Sequence, residues 1–130
     1  MGQRKLLIVD DEPKIRAMLA GCLQQAELAI ATAESGEEAL AKVAQEPPDV
    51  MILDVKMKGM SGVEVLRELR ASGPRVGVLI ITGFDDERVE QEATRLGVLG
   101  VIHKPLVLSE VRQTIHEALA SPSRGQPPIS

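Results

Sequence analysis

Five polar residues stand where short apolar runs of the sequence end, and their side chains are the ones best suited to chemistry. Asp10 and Asp11 follow a run near the start of the chain, and Asp54 closes a run in its middle. Thr82 and Lys104 follow two later runs. If these runs are parallel strands, their carboxyl ends meet at one edge of a sheet. Three carboxylates, a hydroxyl and an ammonium then share one crevice.

The three carboxylates indicate a site for a divalent cation. Two carboxylates ~4 Å apart repel each other by about 4 kcal/mol at an effective dielectric constant near 20. A cluster of this kind either raises the pKa of one member or binds a cation. Oxygen ligands favour a hard ion, and few carboxylates with water and a phosphate favour Mg²⁺ over Ca²⁺. We therefore expect Mg²⁺ at Asp10, Asp11 and Asp54.

The remaining two side chains complete a cradle for phosphoryl oxygens. Lys104 supplies a point cation and Thr82 a hydroxyl, and with a metal these groups stabilise a transferring phosphoryl group. An aspartate can itself accept that group as an acyl phosphate. Asp54 is the better candidate acceptor because it stands alone in the middle of the pattern, whereas the paired Asp10 and Asp11 are suited to holding the metal.

The elements that must position these residues alternate between strand and helix. Short runs rich in Val, Ile and Leu are typical of strands buried on both faces. They predict strands at 5–9, 28–33, 50–54, 78–81 and 99–103, the second being the weakest. Helices are predicted by apolar spacing from 15 to 26, capping boxes at Ser35 and Ser61, an acidic start at Asp85 and Asp86, and spacing from 108 to 120. The pattern is βα repeated five times, which predicts an α/β fold: a three-layer, doubly wound, five-stranded parallel sheet of the flavodoxin-like type.

Composition and charge narrow the class of protein. The chain has 130 residues, of which 44% are hydrophobic and 26% charged, as in an ordinary globular domain. Its net charge of −4 argues against a nucleic-acid face. A single cysteine, Cys22, suits the reducing cytoplasm, and no apolar stretch has the ~20 residues that a membrane span needs. We expect one domain over 1–120, with 121–130 as a flexible Pro/Ser-rich tail or linker stub.

Four motifs in order resemble those of the response-regulator receiver domain, the CheY-like phosphoacceptor module of two-component signalling. They are Ile8-Val9-Asp10-Asp11-Glu12-Pro13, Asp54 followed by Gly59-Met60-Ser61-Gly62, Ile81-Thr82-Gly83 and Lys104-Pro105. Each motif is weak alone, but their order and spacing are specific. The resemblance covers residues 4 to about 120.

The resemblance implies a role for each site residue. Asp54 would be phosphorylated, and Asp11 and Asp54 would ligate Mg²⁺ directly. The backbone carbonyl of Lys56 would be a further ligand, and Asp10 would act partly through water. Lys104 would pair with the phosphoryl group.

Thr82 would swing inward to bond the phosphoryl group. The family often has a cis bond at the position of Lys104-Pro105. Readout would use the face formed by the fourth helix, the fifth strand and the fifth helix.

Four positions depart from the family pattern. Val101 replaces the common aromatic switch residue, and Phe84 is the only ring that could report on the site. Lys58 replaces a frequent proline, and Lys56, two residues past Asp54, borders the phosphoryl site. Val107 stands where an N-cap of the last helix is expected, which predicts a weak start to that helix.

The resemblance also implies partners. They are a sensor histidine kinase or phosphotransfer protein as the phosphoryl donor, and an output domain or target protein; phosphorylation-dependent dimerisation stays open. On this hypothesis the domain is no enzyme beyond self-phosphorylation and autodephosphorylation. Two alternatives are a receiver-like scaffold that works without phosphorylation, motivated by Val101, and a Mg²⁺-dependent aspartyl-phosphate hydrolase. The hydrolase is less favoured because such enzymes place the nucleophile in a D-x-D motif after the first strand.

Overall fold

Five strands and five helices alternate along the chain in the computed structural model, which describes residues 3–25, 27–83 and 86–120. The strands are β1 (Arg4–Val9), β2 (Leu28–Ala33), β3 (Val50–Asp54), β4 (Gly77–Thr82) and β5 (Gly100–His103). The helices are α1 (Pro13–Leu23), α2 (Gly36–Gln45), α3 (Gly62–Ser72), α4 (Glu87–Arg95) and α5 (Leu108–Ala120). The predicted alternation of strand and helix is confirmed.

The strands form a single parallel sheet in the order β2-β1-β3-β4-β5. From β1 the chain moves first outward to β2 and then across to β3, so the order reverses between β1 and β3. In doubly wound sheets ligands bind at such a reversal, outside the carboxyl ends of the strands. The topology therefore places the end of β1 and the end of β3 on either side of the expected binding crevice.

The sheet separates two aliphatic cores. Alternate strand residues face opposite sides, so Leu7 and Val9 pack with α2, α3 and α4, whereas Leu6 and Ile8 pack with α1 and α5. Both faces of β3 and β4 are buried along their whole length. This burial explains why the central strands read as continuous apolar runs. The predicted three-layer architecture is confirmed.

Two helix starts illustrate how local sequence sets the element boundaries. Ser61 caps α3 in a complete capping box, in which its side chain accepts from the Glu64 N–H and the Glu64 carboxylate accepts from the Ser61 N–H. The predicted box at Ser35 is only half formed. Ser35 Oγ accepts from the Glu38 N–H, but the Glu38 carboxylate accepts from the N–H of Glu34 instead, at 2.8 Å.

The outer strand β2 has a lysine along its open edge. The Ala33 carbonyl faces β1 and accepts from the Asp10 N–H at 3.1 Å. Successive carbonyls of a strand point to opposite sides, so the Thr32 carbonyl faces outward, where the Lys42 ammonium donates to it. Lysines at sheet edges discourage pairing with another strand. Lys42 therefore protects this edge of the sheet.

Some expectations fall outside the described residues. These are the tail at 121–130, Phe84 as a reporter ring, Asp85 at the start of the fourth helix and Ala26 at the end of the first helical pattern. Gly97 adopts a positive φ of 82° just after α4, as predicted for the residue that ends this helix. None of the helices in the described part of the chain is both long and apolar enough to cross a bilayer.

Candidate functional site

The carboxyl ends of β1 and β3 bring the predicted acidic residues together. Asp10 follows β1 directly and Asp54 is the last residue of β3. These two strands pair in parallel, with Val9 opposite Leu53. The Asp54 carboxylate is near enough to affect the acidity of Asp10, and each residue is only 1% exposed. Two buried carboxyl groups therefore lie side by side at the point where the strand order reverses.

Asp54 lies between two nitrogen donors. Its Oδ1 atom accepts from the Lys56 N–H at 3.2 Å and lies 3.3 Å from the Lys104 ammonium. Lys104 follows β5, so its side chain reaches across the end of β4 to the end of β3. The contact between Asp54 and Lys104 joins residues at the ends of two strands that are not neighbours in the sheet, as the common carboxyl edge of a parallel sheet allows.

Burial changes the acidity of Asp10. It raises the pKa of the Asp10 carboxyl from its usual 3.8 to about 6, and the neighbouring Asp54 contributes to the rise. The Glu12 N–H, which donates to Asp10 Oδ1 at 2.9 Å, and the Lys104 ammonium act in the opposite direction. A raised pKa is the expected property of a buried carboxyl group beside a second carboxylate.

Three carboxylates after β1 provide oxygen atoms at a spacing that suits one cation. Oxygens of Asp10, Asp11 and Glu12 lie within 4.8 Å of one another. Asp11 is anchored from the opposite loop, since its Oδ2 accepts from the Lys58 N–H at 2.9 Å. An all-oxygen donor set of this kind fits Mg²⁺, which is bound in proteins by one or two carboxylates together with water and phosphate oxygens. Among the described residues this cluster contains Glu12, which was not a predicted ligand, and does not contain the predicted ligand Asp54.

Thr82 and Lys104 are close to each other through their backbones. The Lys104 N–H donates to the Thr82 carbonyl at 2.9 Å, and the following Lys104-Pro105 bond is cis, as the resemblance implied. Thr82 is fully buried, and its hydroxyl donates to the Gly83 carbonyl at 3.4 Å. An inward rotation of the Thr82 side chain towards a phosphoryl group stays a prediction.

A glycine lies directly against the backbone of the acceptor strand. The Gly62 N–H donates to the Val55 carbonyl at 3.1 Å. A Cβ atom at position 62 would lie 2.5 Å from the Asp54 carbonyl oxygen and 2.7 Å from Val55 Cα. Only glycine allows the start of α3 to approach Asp54 this closely.

The residue at the usual switch position packs into the core. Val101 lies on β5 opposite Ile80 and is half-buried against the core on the α2–α4 side. An aliphatic side chain held in this way has no ring to rotate between a buried and an exposed position.

One polar contact beside the site is not indicated by the sequence. The Lys56 ammonium lies 3.4 Å from Oδ2 of Asp86, the residue that precedes α4. The sequence identified Asp86 only as part of an acidic helix start. No signal in the sequence indicates an ion pair between two loops that are 30 residues apart.

Comparisons with known proteins agree with this geometry. The family model described as the response regulator receiver domain matches residues 6–116. The chain is 33% identical over 119 residues to sporulation initiation phosphotransferase F of Bacillus subtilis, covering 92% of this chain and 96% of that protein. It is 34% identical over 119 residues to the transcriptional regulatory protein ZraR of Salmonella typhimurium, covering 92% of this chain. The chain spans only 27% of the length of ZraR.

Solved structures show the same fold. Chemotaxis protein CheY4 of Vibrio cholerae matches with a TM-score of 0.80 and 32% identity, over 89% of this chain and 98% of that chain. The receiver domain of NtrX from Brucella abortus matches with a TM-score of 0.81 and 29% identity, over 89% and 98% of the two chains. The flavodoxin-like prediction is confirmed, and the family match favours a receiver over a hydrolase. The chain belongs to the response regulator receiver domain family of two-component signalling.

Proposed function

We propose that Asp54 accepts a phosphoryl group from a phosphohistidine of a sensor histidine kinase or phosphotransfer protein. The observation that carries this proposal is the position of the Asp54 carboxylate. It is buried at the carboxyl end of β3, 3.3 Å from the Lys104 ammonium and 3.2 Å from the Lys56 N–H. Receiver domains partner with histidine kinases and output domains, and this arrangement supplies an acceptor with its charge partners already in place.

The transfer exchanges one bond to phosphorus for another. The N–P bond of the phosphohistidine breaks while an O–P bond forms to the Asp54 carboxylate. The departing imidazole keeps the bonding electron pair and takes up a proton, and Asp54 becomes an acyl phosphate. Because phosphoryl transfer proceeds through a loose transition state, the protein contributes chiefly position and charge. Lys104 stabilises the developing negative charge on the phosphoryl oxygens, and the Lys56 N–H orients the acceptor.

We assign the metal ligands to the acidic residues at the end of β1 and to Asp54. Receiver domains bind Mg²⁺ at an acidic cluster, and Asp10, Asp11 and Glu12 bring three carboxylates together here. Asp11 and Asp54 would ligate the ion with the Lys56 carbonyl, and Asp10 would contribute through water. When bound, the ion neutralises charge on the acceptor and on the transferring phosphoryl oxygens. The Lys58 N–H keeps Asp11 turned towards the site.

Phosphorylation then biases the domain between two conformations. Thr82 is suited to forming a hydrogen bond with the phosphoryl group. Its hydroxyl would break only a long hydrogen bond of 3.4 Å to the Gly83 carbonyl. The change would reach an output domain or target protein through the α4–β5–α5 face. We further propose a cytoplasmic domain without activity beyond its own phosphorylation and dephosphorylation. The oligomeric state should be measured before and after phosphorylation, because the domain could dimerise when it is phosphorylated.

Incubation with acetyl phosphate and Mg²⁺ tests the acceptor. The intact mass should rise by one phosphoryl group, and the modification should map to the peptide containing Asp54. Asp54→Asn should abolish the gain because the amide cannot form an acyl phosphate. Glu87→Gln, which removes an exposed carboxylate elsewhere, should keep it. No mass gain in the unmodified sequence, or a gain that persists in Asp54→Asn, would refute the proposal.

A phosphorylation-independent scaffold is the second candidate, and the half-buried Val101 is the observation that favours it. The two candidates differ in what a partner detects. A scaffold binds its partner equally well with or without phosphorylation and after Asp54→Asn. A switch shows a change in affinity on phosphorylation that Asp54→Asn removes.

A further inference from the structure

The two ends of α4 are held to the rest of the domain with different strength. At its carboxyl end, Arg70 of α3 donates to the carbonyls of Leu96 at 2.7 Å and Gly97 at 3.1 Å. One turn earlier in α4, Glu92 forms an ion pair with Arg67 of α3. The Arg67 Nε atom lies 2.7 Å from the Glu92 carboxylate. The carboxyl half of α4 is therefore fastened to α3 by two arginines.

The amino half of α4 buries little apolar surface and is held by a polar contact, in which the Glu90 carboxylate lies 2.8 Å from Nε2 of His103 on β5. Ala93 is the only residue that α4 buries completely, and it lies in the carboxyl half. Val89 is half-buried, whereas Glu87 and Arg88 are exposed. Segments with little apolar burial open at low free-energy cost. Polar contacts consequently have a large share in deciding where this half of the helix lies.

Asp86 is placed to cap α4, but its carboxylate points elsewhere. It occupies the N-cap position, where an aspartate usually accepts a hydrogen bond from the second or third N–H of the helix. Within the part of the chain that the structure describes, the Asp86 side chain makes no such bond. Its Oδ2 atom lies instead 3.4 Å from the Lys56 ammonium, with the aspartate side chain 19% exposed.

Lys56 lies within reach of a second anion. The Lys56 N–H donates to Asp54 Oδ1 at 3.2 Å, so the Lys56 side chain extends from a backbone position next to Asp54. Phosphorylation replaces a carboxylate of charge −1 by a group of about −2 with several acceptor oxygens. Lys104 already lies beside Asp54 before phosphorylation. The added charge therefore competes with Asp86 for the ammonium of Lys56.

We infer that Asp86 is a positioning residue that holds Lys56 away from the acceptor until phosphorylation, and that its release couples the site to α4. This inference rests on the proposed function, because it assigns a route from Asp54 to the helix. In the unphosphorylated protein Asp86 pairs with Lys56 and leaves the first turn of α4 without a side-chain cap. After phosphorylation Lys56 turns to the phosphoryl oxygens, and Asp86 accepts from the first-turn N–H groups. The amino half of α4 then shifts about the end held by Arg70, without any rotation at position 101.

Binding of beryllofluoride, a phosphoryl mimic, with Mg²⁺ tests the first half of the inference. Asp86→Asn removes the negative charge that attracts Lys56, so binding no longer requires an ion pair to break. The variant should bind beryllofluoride about two- to fivefold more tightly, the range expected for an ion pair whose lysine is 63% exposed. Glu87→Gln removes a carboxylate from the next residue, which is exposed, and should bind like the unmodified sequence.

Hydrogen exchange of the amides of Arg88 and Val89 tests the second half. In the unmodified sequence their exchange should slow on addition of beryllofluoride as Asp86 becomes a cap. In Asp86→Asn the asparagine can cap at once, so exchange should be slow before beryllofluoride is added. Asp86→Ala can neither pair nor cap, so it should share the tighter binding but show fast exchange throughout.

The outcomes separate this inference from the proposed function. No beryllofluoride binding by any variant, together with no phosphoryl gain from acetyl phosphate, would overturn the proposed function and this inference with it. Normal binding by the unmodified sequence with an unchanged affinity in Asp86→Asn would overturn the inference alone. An equal gain of affinity in Glu87→Gln would also overturn it, because the effect would then be one of general charge.

Discussion

Asp10 and Asp54 stand at the carboxyl ends of two adjacent parallel strands, and both are almost completely buried. Burial penalises the charged form of a carboxyl group, and a second carboxylate nearby adds to the penalty. The ionised forms of these two carboxyl groups are therefore unfavourable unless a cation balances their charge. This property has a measurable consequence for stability.

The free energy of unfolding should depend on pH through Asp10. Its pKa is raised from 3.8 to about 6 in the folded state, chiefly by burial. Between these values the folded protein holds more protons than the unfolded chain, so the contribution of Asp10 to stability falls as pH rises through this window. In metal-free buffer, Asp10→Asn should stabilise the protein by about 3 kcal/mol at pH 7 and by much less at about pH 4. Urea unfolding at a series of pH values measures the difference.

Glu12→Gln is the matched control for this series, because Glu12 belongs to the same loop but is exposed. Its stability should differ from that of the unmodified sequence by a small amount that does not follow the same pH window. If Asp10→Asn gives a constant difference from acid to neutral pH, Asp10 does not carry the raised pKa.

Gly62→Ala should destabilise the domain and disturb the acceptor together. The new methyl group would meet the backbone of Asp54 and Val55 at 2.5 and 2.7 Å, and backbone cannot move aside cheaply. Crowding of this kind costs about 1–3 kcal/mol. Phosphorylation by acetyl phosphate should also slow, because the end of β3 must shift. Thermal unfolding and the rate of mass gain measure the two effects.

Gly21→Ala provides the contrasting glycine. Gly21 is exposed within α1, and nothing lies within 4 Å of a Cβ atom added there. Because alanine loses less backbone entropy than glycine in a helix, this variant should be more stable by about 0.5–1 kcal/mol. Destabilisation by Gly21→Ala as large as that by Gly62→Ala would contradict the role given to the close approach at Asp54.

Arg70→Met should loosen the attachment of α4 to α3. The guanidinium donates to the carbonyls of Leu96, Gly97 and Val76, and partial burial lowers its pKa. Losing these donors leaves carbonyls without partners, at a cost of about 1–3 kcal/mol. Arg67→Met removes only an ion pair whose arginine is 54% exposed, so it should cost about 1 kcal/mol or less. Equal losses in chemical unfolding of the two variants would show that Arg70 has no special role.

Val107→Ser should stabilise the start of α5. Val107 directly precedes the helix, its carbonyl accepts from the N–H groups of Glu110 and Val111, and its side chain is 47% exposed. Valine has no oxygen to cap the first turn, whereas serine at an N-cap adds about 1 kcal/mol over residues that cannot cap. Val107→Ala removes the same apolar side chain without adding a cap. A serine variant no more stable than the alanine variant in thermal unfolding would contradict this interpretation.

The sequence predicted the framework of the site well because the framework depends on local patterns. Apolar runs ending in Asp54 and Lys104, together with the rule that parallel strands share one carboxyl edge, are enough to bring these residues together. Their 3.3 Å contact agrees with that argument. Position 28–33 was the weakest strand prediction because an edge strand needs fewer large apolar residues, yet β2 covers those residues.

Contacts between distant side chains were not predictable in the same way. The pair formed by Lys56 and Asp86 depends on how two loops approach each other, and nothing in either segment specifies it. Glu38 shows the same difficulty on a smaller scale. Its position three residues after Ser35 matches a capping box, but the structure gives its carboxylate a different N–H. Tertiary geometry selects among hydrogen-bonding partners that the sequence leaves equivalent.

The sheet separates two cores, so substitutions in one core should affect stability independently of substitutions in the other. Leu19 packs in the core on the α1–α5 side and Val43 in the core on the α2–α4 side, with the sheet between them. Substitutions at well-separated sites without shared partners usually have additive effects on stability. The losses caused by Leu19→Ala and Val43→Ala should therefore sum in the double variant. One face of the domain can then diversify during evolution while the other keeps its own packing intact.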